Sequence, residues 1–142
     1  MKKILGTLAA PHAASADLGL LALRLWFGAI LLYTVGLQNW RHYDVFAERF
    51  VEAGLPRPAV IAAVALGSQL LGAGLLAAGL LTRLAALCVA LTMSLEVYAF
   101  HRGFPPSVGQ IIPMGYAVAA FGILLIGPGR ASLDHLFFRR GG

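Results

Sequence analysis

The sequence predicts an all-α integral membrane protein, a four-helix bundle with a short amphipathic helix between the first and second spans. Three observations predict it. Of 142 residues, 59% are hydrophobic and 12% charged, against about 25% charged in an ordinary soluble domain. The apolar residues gather into four runs, each near the ~20 residues that cross a hydrocarbon core. Between the first two runs, apolar residues recur at three- and four-residue spacing, the period of a helix with one wet face. A 15.0 kDa body with mean hydropathy +0.80 has too little interior to hide this much apolar surface. Lipid is the solvent that accepts the excess.

Residues 1–17 form an N-terminal arm. Lys2 and Lys3 precede a short apolar stretch, and Ala14-Ser15-Ala16 resembles a cleavage site. Pro11-His12 interrupts that stretch, so the expectation is an interfacial arm rather than a leader. Leu18 to Leu37 is the first span; its twenty residues cover about 30 Å. Arg24 is its only charge, Tyr33 lies late in it, and Gln38-Asn39-Trp40-Arg41-His42 makes a polar and aromatic exit. Residues 42–53 carry Tyr43, Phe46, Phe50 and Ala53 on one side, with Asp44, Glu48, Arg49 and Glu52 on much of the other. That is an amphipathic helix lying on the membrane or over the bundle mouth. Gly54 suits its C-terminal cap, and Pro56 and Pro58 stop it.

Ala59 to Leu81 is the second span, without charge and with Gln69 as its strongly polar group. Ser68 and Gly72, four apart, form a small-residue pair that lets helices approach closely. A tight turn is expected at Leu81-Thr82-Arg83. Leu84 to Phe100 is the third span, containing Cys88, Met93 and Glu96. Val108 to Ile126 is the fourth, containing Gln110, Pro113 and Tyr116, and Gly127-Pro128-Gly129-Arg130 ends it. The expected organisation is an arm over 1–17, a membrane domain over 18–130 and a basic tail over 131–142.

Four crossings put both termini on one side. Lys2, Lys3, Arg83, Arg130, Arg139 and Arg140 go with them, against Arg41, Arg49, Arg57 and Arg102 opposite. Counting Lys and Arg places both termini in the cytoplasm of a bacterial inner membrane. The net charge of +5 reads as topology and contact with anionic lipid, not as a nucleic-acid footprint, because no basic helix or aromatic-basic stripe accompanies it. The lone Cys88 excludes an internal disulfide, and no paired-cysteine or other metal signature occurs. Met93 and Cys88 are five apart, poor spacing for one helix face, so packing explains both better than metal binding. No metal site is expected.

A charge inside hydrocarbon usually faces a partner, a cavity or water. Glu96 has two readings: a hydrogen-bonded acid that locks helices together, or a group that accepts and delivers protons. Arg24 either snorkels and ties down helix ends, or contacts an anion or a carbonyl ligand. Arg24, Gln69 and Glu96 form a stepped polar line only if their helix faces converge. His42 and His101, near the non-cytoplasmic mouth, make with Glu96 a candidate wet vestibule for proton transfer. Glu96, His101 and His42 are therefore the candidate catalytic groups. Arg24, Gln69, Tyr33, Gln38 and Gln110 are the candidate cofactor contacts.

The order and spacing of several landmarks resemble the DoxX family of small four-helix membrane proteins, over roughly Leu18 to Asp134. They are Leu23-Arg24-Leu25 with Gly28 and Gly36; Ala53-Gly54-Leu55-Pro56; Gly72 through Gly79 followed by Leu80-Leu81-Thr82-Arg83-Leu84-Ala85-Ala86; and Gly127-Pro128-Gly129-Arg130 with Ser132-Leu133-Asp134. The resemblance implies a membrane component associated with oxidoreductase systems, related to a thiosulfate:quinone oxidoreductase membrane subunit. Many relatives carry Glu where this chain has Gln69, and a Lys soon after the second glycine of the first helix where this chain has Gln38-Asn39-Trp40-Arg41.

Three functions remain open. The first is a redox-associated subunit whose bundle holds a quinone headgroup or passes protons while a partner supplies electrons. The second is a noncatalytic anchor or assembly factor for a larger membrane complex. The third is a small-solute transporter, which needs alternate access and a homo-oligomer. No ligand set for an electron carrier is visible, so the sequence leaves open whether the chain is itself an enzyme. Membrane lipids and a redox or other membrane protein are the expected partners.

Overall fold

A computed structural model describes residues 13–100, 108–129 and 132–134. The described chain is all-α. The first helix, Ala13–Ile30 among the described residues, includes part of what the sequence suggests is an arm. It continues through a π-helical stretch, Leu31–Gly36, into Leu37–Arg41. The expected exit is thus helical, and the polar residues there keep the register of the span below. His42 breaks the helix with φ −119° and ψ 44°. The amphipathic helix follows at Tyr43–Glu52 and ends at Gly54, whose φ of +70° is one glycine adopts without steric penalty.

The second long helix begins at Pro58, where proline fits because the first helical N–H has no partner to lose. It runs Pro58–Gly67, a π-helical Ser68–Gly72, then Ala73–Ala78. It ends three residues earlier than the apolar run suggests. Gly79 turns left-handed with φ +69°, and its N–H and that of Leu80 close onto Leu76 and Leu75 carbonyls at 3.1 and 3.0 Å. The third helix is Thr82–Phe100 and the fourth Val108–Ile126.

Three stretches among the described residues are long and apolar enough to cross a membrane: Ala16–Arg41, Pro58–Ala78 and Thr82–Ala99; Ile111–Ile126 is a shorter apolar helix. Their exposed faces are studded with Leu, Val, Ile, Trp and Tyr, the surface that lipid covers. Neighbouring helices alternate in direction. The start of the first helix meets the end of the fourth, since a Cβ added at Gly129 would sit 3.2 Å from Leu20 Cδ1.

Two apolar cores hold the helices. One joins Phe27, Leu31, Leu76, Val89, Met93 and Ile123, with Phe27 and Tyr116 edge-to-face at 5.6 Å. The other seats the amphipathic helix: Phe46, Phe50 and Ala53 pack on Ala62, Ala65, Leu66 and Ala99. Small residues set the spacing. A Cβ on Gly28 would lie 2.6 Å from the Ala73 carbonyl, so the first and second helices touch backbone to backbone there. The Ser68/Gly72 face meets the third helix: Gly72 abuts Val89, and the Ser68 and Thr92 hydroxyls bond at 2.6 Å.

Candidate functional site

The buried faces of the helices follow a 3.6-residue period, and polar side chains occupy that stripe at one level. On the second helix the stripe passes through Ala62, Leu66, Gln69, Ala73 and Leu76. On the third it passes through Val89, Met93, Glu96 and Ala99. Gln69 is fully buried and Glu96 is 4% exposed. The Gln69 amide nitrogen donates to Glu96 Oε1. Asn39, from the last turn of the first helix, donates to Gln69 Oε1 at 2.8 Å. Three helices are thereby tied by one chain, Asn39 to Gln69 to Glu96. Because Asn39 occupies the Gln69 carbonyl oxygen, Gln69 must present its NH2 to the carboxyl. The carboxyl oxygen that meets it is an acceptor.

Backbone irregularity coincides with this cluster. Gln69 lies in the π-helical stretch of the second helix, facing that of the first. Gly36, at the end of the latter, lies against Leu70 and the Gln69 backbone. Thr92, one turn before Glu96, and Ser68, next to Gln69, continue the polar contacts between the second and third helices. Thr34, also π-helical, shares a 2.8 Å hydrogen bond with the Tyr116 hydroxyl of the fourth helix. π-Helical turns of this kind recur at functional sites, where they re-aim side chains.

The other sequence candidates are placed elsewhere. Arg24 is fully buried, with Nε 3.4 Å from the Leu20 carbonyl. Its guanidinium packs under Gly79, ten residues beyond Gln69 on the second helix, about 15 Å along its axis. The stepped polar line from Arg24 to Glu96 does not form; Phe27, Leu31, Ala73 and Leu76 fill the space between the two levels. Arg24 belongs instead to a cluster around Asp134. That carboxylate accepts the Leu81 and Thr82 N–H groups at 2.6 and 2.9 Å, and its own N–H donates to the Gly79 carbonyl at 2.9 Å. Asp134 thus caps the third helix from outside it. Burial works to raise its pKa, but the Thr82 and Leu81 donors and the attraction of Arg24 outweigh that and hold the carboxyl below its ordinary value.

Tyr33 is 70% exposed on the lipid-facing side, and Gln38 is exposed beside it. His42 is exposed at the joint before the amphipathic helix, where its carbonyl accepts the Phe46 N–H at 3.0 Å. Neither His42 nor Tyr33 joins the buried cluster. His101 and the Gln110 side chain lie outside the described residues. Among the described residues no three His, Cys, Asp or Glu groups converge as a metal site would require.

Asn39 is the site residue that sequence reasoning missed. Its signal was present: Arg24, Gly28, Leu31, Val35 and Asn39 step by three or four, so the inward stripe runs past the end of the apolar segment.

A protein of Haemophilus influenzae described as uncharacterized is 34% identical over 130 residues, covering 85% of this chain and 84% of its own. No solved structure matches. The family model described as DoxX matches residues 19–102, which takes in Asn39, Gln69, Glu96 and the amphipathic helix. The chain is therefore a multi-pass membrane protein of the bacterial inner membrane, and it belongs to the DoxX family.

Proposed function

We propose that this protein is the membrane subunit of an oxidoreductase system, and that its Asn39–Gln69–Glu96 cluster meets a quinone headgroup or relays its protons. The observation that carries this reading is the buried carboxyl of Glu96, held by an amide that is itself held by Asn39. Quinone chemistry couples electron transfer to protonation of carbonyl oxygens, so a carboxyl and carboxamides on a fixed frame suit it. An apolar groove of about 540 Å³ supports it too. Trp40 and Leu70, the chain neighbours of Asn39 and Gln69, line it with Tyr43, Leu66 and Leu71, and an isoprenoid tail is matched to such a surface. DoxX proteins are often linked to redox complexes. A partner supplies the electrons. In this reading Ile111–Ile126 is the core of a fourth crossing, and both termini face the cytoplasm.

The test is mass spectrometry of the protein extracted with its native lipid, reading quinone and copurifying subunits together. Quinone and a redox subunit are expected with the wild type. Glu96→Gln should lose the quinone and keep the subunit. A stoichiometric protein partner without quinone would replace this reading with a noncatalytic anchor. Recovery of neither would overturn it.

A further inference from the structure

Asn39 is the least buried member of the chain that ends on Glu96. It is half-buried in the last turn of the first helix, while Gln69 and Glu96 are buried. Its NH2 donates to Gln69 Oε1 at 2.8 Å, and the Gln69 NH2 donates to Glu96 Oε1. A carboxamide has one donating end and one accepting end, so a row of them can run in either of two directions. In the direction observed, every hydrogen bond points toward Glu96. In the reverse direction Gln69 would turn its NH2 to the Asn39 carbonyl and its own carbonyl to the carboxyl, and Glu96 would have to donate.

The two directions allow different things at Glu96. Facing an NH2, Oε1 accepts whether the group is a carboxylate or an acid whose proton lies on Oε2. The proton can come and go with every bond of the chain in place. Facing a carbonyl, only the acid makes a bond. Its carboxylate would set two acceptors against each other at a buried site, where an unmatched polar group is costly. The observed direction therefore suits a group that cycles, and the reverse direction traps one protonation state.

The contacts around the chain leave that choice to Asn39, which is the side chain that meets the Gln69 carbonyl oxygen. Ser68 and Thr92, the neighbouring polar pair, are engaged with each other at 2.6 Å and with the Ala65 and Cys88 carbonyls of their own helices at 2.8 and 2.9 Å. Arg41, His42 and the charged residues of the amphipathic helix, Asp44, Glu48, Arg49 and Glu52, are exposed.

We propose that Asn39 is the positioning residue for proton exchange at Glu96: by donating to the Gln69 carbonyl it keeps Gln69 a donor to Oε1, so that Glu96 takes up and releases its proton at Oε2. The O–H bond on Oε2 breaks as the proton passes to water or to a quinone oxygen, and forms again when a proton returns. The inference rests on the proposed proton relay for its purpose, but the direction of the chain is tested without quinone, partner or turnover.

The probe is dicyclohexylcarbodiimide, an apolar reagent that adds to carboxylic acids: the acid's proton goes to a carbodiimide nitrogen and its oxygen to the central carbon. It is applied to the full chain in lipid nanodiscs, in mildly alkaline buffer so that the carboxylate is populated, and Glu96 is read by peptide mass spectrometry. Asn39→Asp supplies an acceptor in place of the donor, so Gln69 turns round and Glu96 is held as the acid. Its labelling should rise by about fivefold, the worth of one net hydrogen bond. Asn39→Leu frees Gln69 without forcing it and should give a smaller rise. In a Gln69→Leu background the two Asn39 variants should label alike, because the side chain that transmits the direction is gone. If that background does not fold, Gln69→Met, closer to glutamine in length, takes its place. Equal labelling of the Asp and Leu variants in the otherwise wild-type chain would mean loosened packing alone and would overturn the proposal. So would a wild-type rate in both, or an undiminished excess of Asp over Leu once Gln69 is replaced, which would be the charge acting without the amide. A wild type that carries no quinone but follows the expected order would sink the redox reading and leave the role of Asn39 intact.

Discussion

Gln69 does at residue scale what no neighbour could do in its place. Its carbonyl oxygen receives Asn39 and its NH2 reaches Glu96, so one side chain satisfies a half-buried donor and a buried acceptor from two other helices. Interhelical hydrogen bonds in lipid average ~0.6 kcal/mol in double-mutant cycles, but stranding a half-buried and a buried polar partner costs more. Gln69→Leu should destabilise the protein by about 1–3 kcal/mol and Asn39→Ala by about 1 kcal/mol. Thermal unfolding in a mild detergent measures both. The double variant should lose less than the sum, because Asn39 has nothing left to orient once Gln69 is gone. A Gln69→Leu protein as stable as the wild type would show the cluster to be energetically idle. Arg24 was read from the sequence as either a helix-end tie or a ligand contact. The structure buries it under Gly79, within reach of the electrostatic attraction of Asp134.

At the scale of elements, the turn between the second and third helices depends on a residue more than fifty positions away. Gly79 and Leu81 both take positive φ, +69° and +48°, and Asp134 clamps the N–H groups that this turn leaves open. A carboxylate at a helix N-terminus also favours the helix dipole. The sign of the pH effect follows from the carboxyl being held below its ordinary value. Its contribution is fully present above the unfolded value of about 4, shrinks as pH falls below that, and is gone once pH has passed through the folded value. The melting temperature of the wild type should therefore fall at acid pH by more than that of Asp134→Asn, and the Asn variant should be the less stable of the two at neutral pH. Equal acid sensitivity in both proteins would show that Asp134 does not latch the turn. The same comparison cancels the titration of the exposed carboxylates, which both proteins share.

On the scale of the whole molecule, the start of the first helix, the end of the second, the start of the third and the end of the fourth gather at one end, around Arg24, Gly79, Thr82 and Gly129. The amphipathic helix and the Glu96 cluster occupy the region towards the other. In the proposed topology, drawn from the distribution of Lys and Arg, the first end faces the cytoplasm. A fluorescent protein fused to the C-terminus should fold and fluoresce, and an alkaline phosphatase fused at the same point should be inactive. A reporter placed after Gly54 should give the reverse pattern. Phosphatase activity at both points would remove the fourth span, and activity at the C-terminus alone would invert the topology.

Composition and periodicity were enough to establish that the chain is helical and lives in lipid, and that a wet-faced helix interrupts the first two spans. Both are local properties: the solvent a segment needs and the period of its apolar residues can be read a turn at a time. Glu96 and Gln69 were legible as costly groups for the same reason, since an isolated polar residue in an apolar run must find a partner. Which partner it finds is not local. Asn39 read as an exit residue because the apolar run stops at Leu37, while the helix goes on to Arg41 and carries Asn39 inward. Arg24 and Glu96 looked like steps of one line because depth can be counted along a sequence, whereas rotation about the helix axis depends on packing. That rotation is set by close approaches, of the Gly28 backbone to that of Ala73 and of Gly72 to the Val89 side chain, and by the π-helical turns that shift the register in the first and second helices. These contacts, between residues far apart in the chain, join Glu96 to Gln69 and Asn39 and leave Arg24 to close the opposite end.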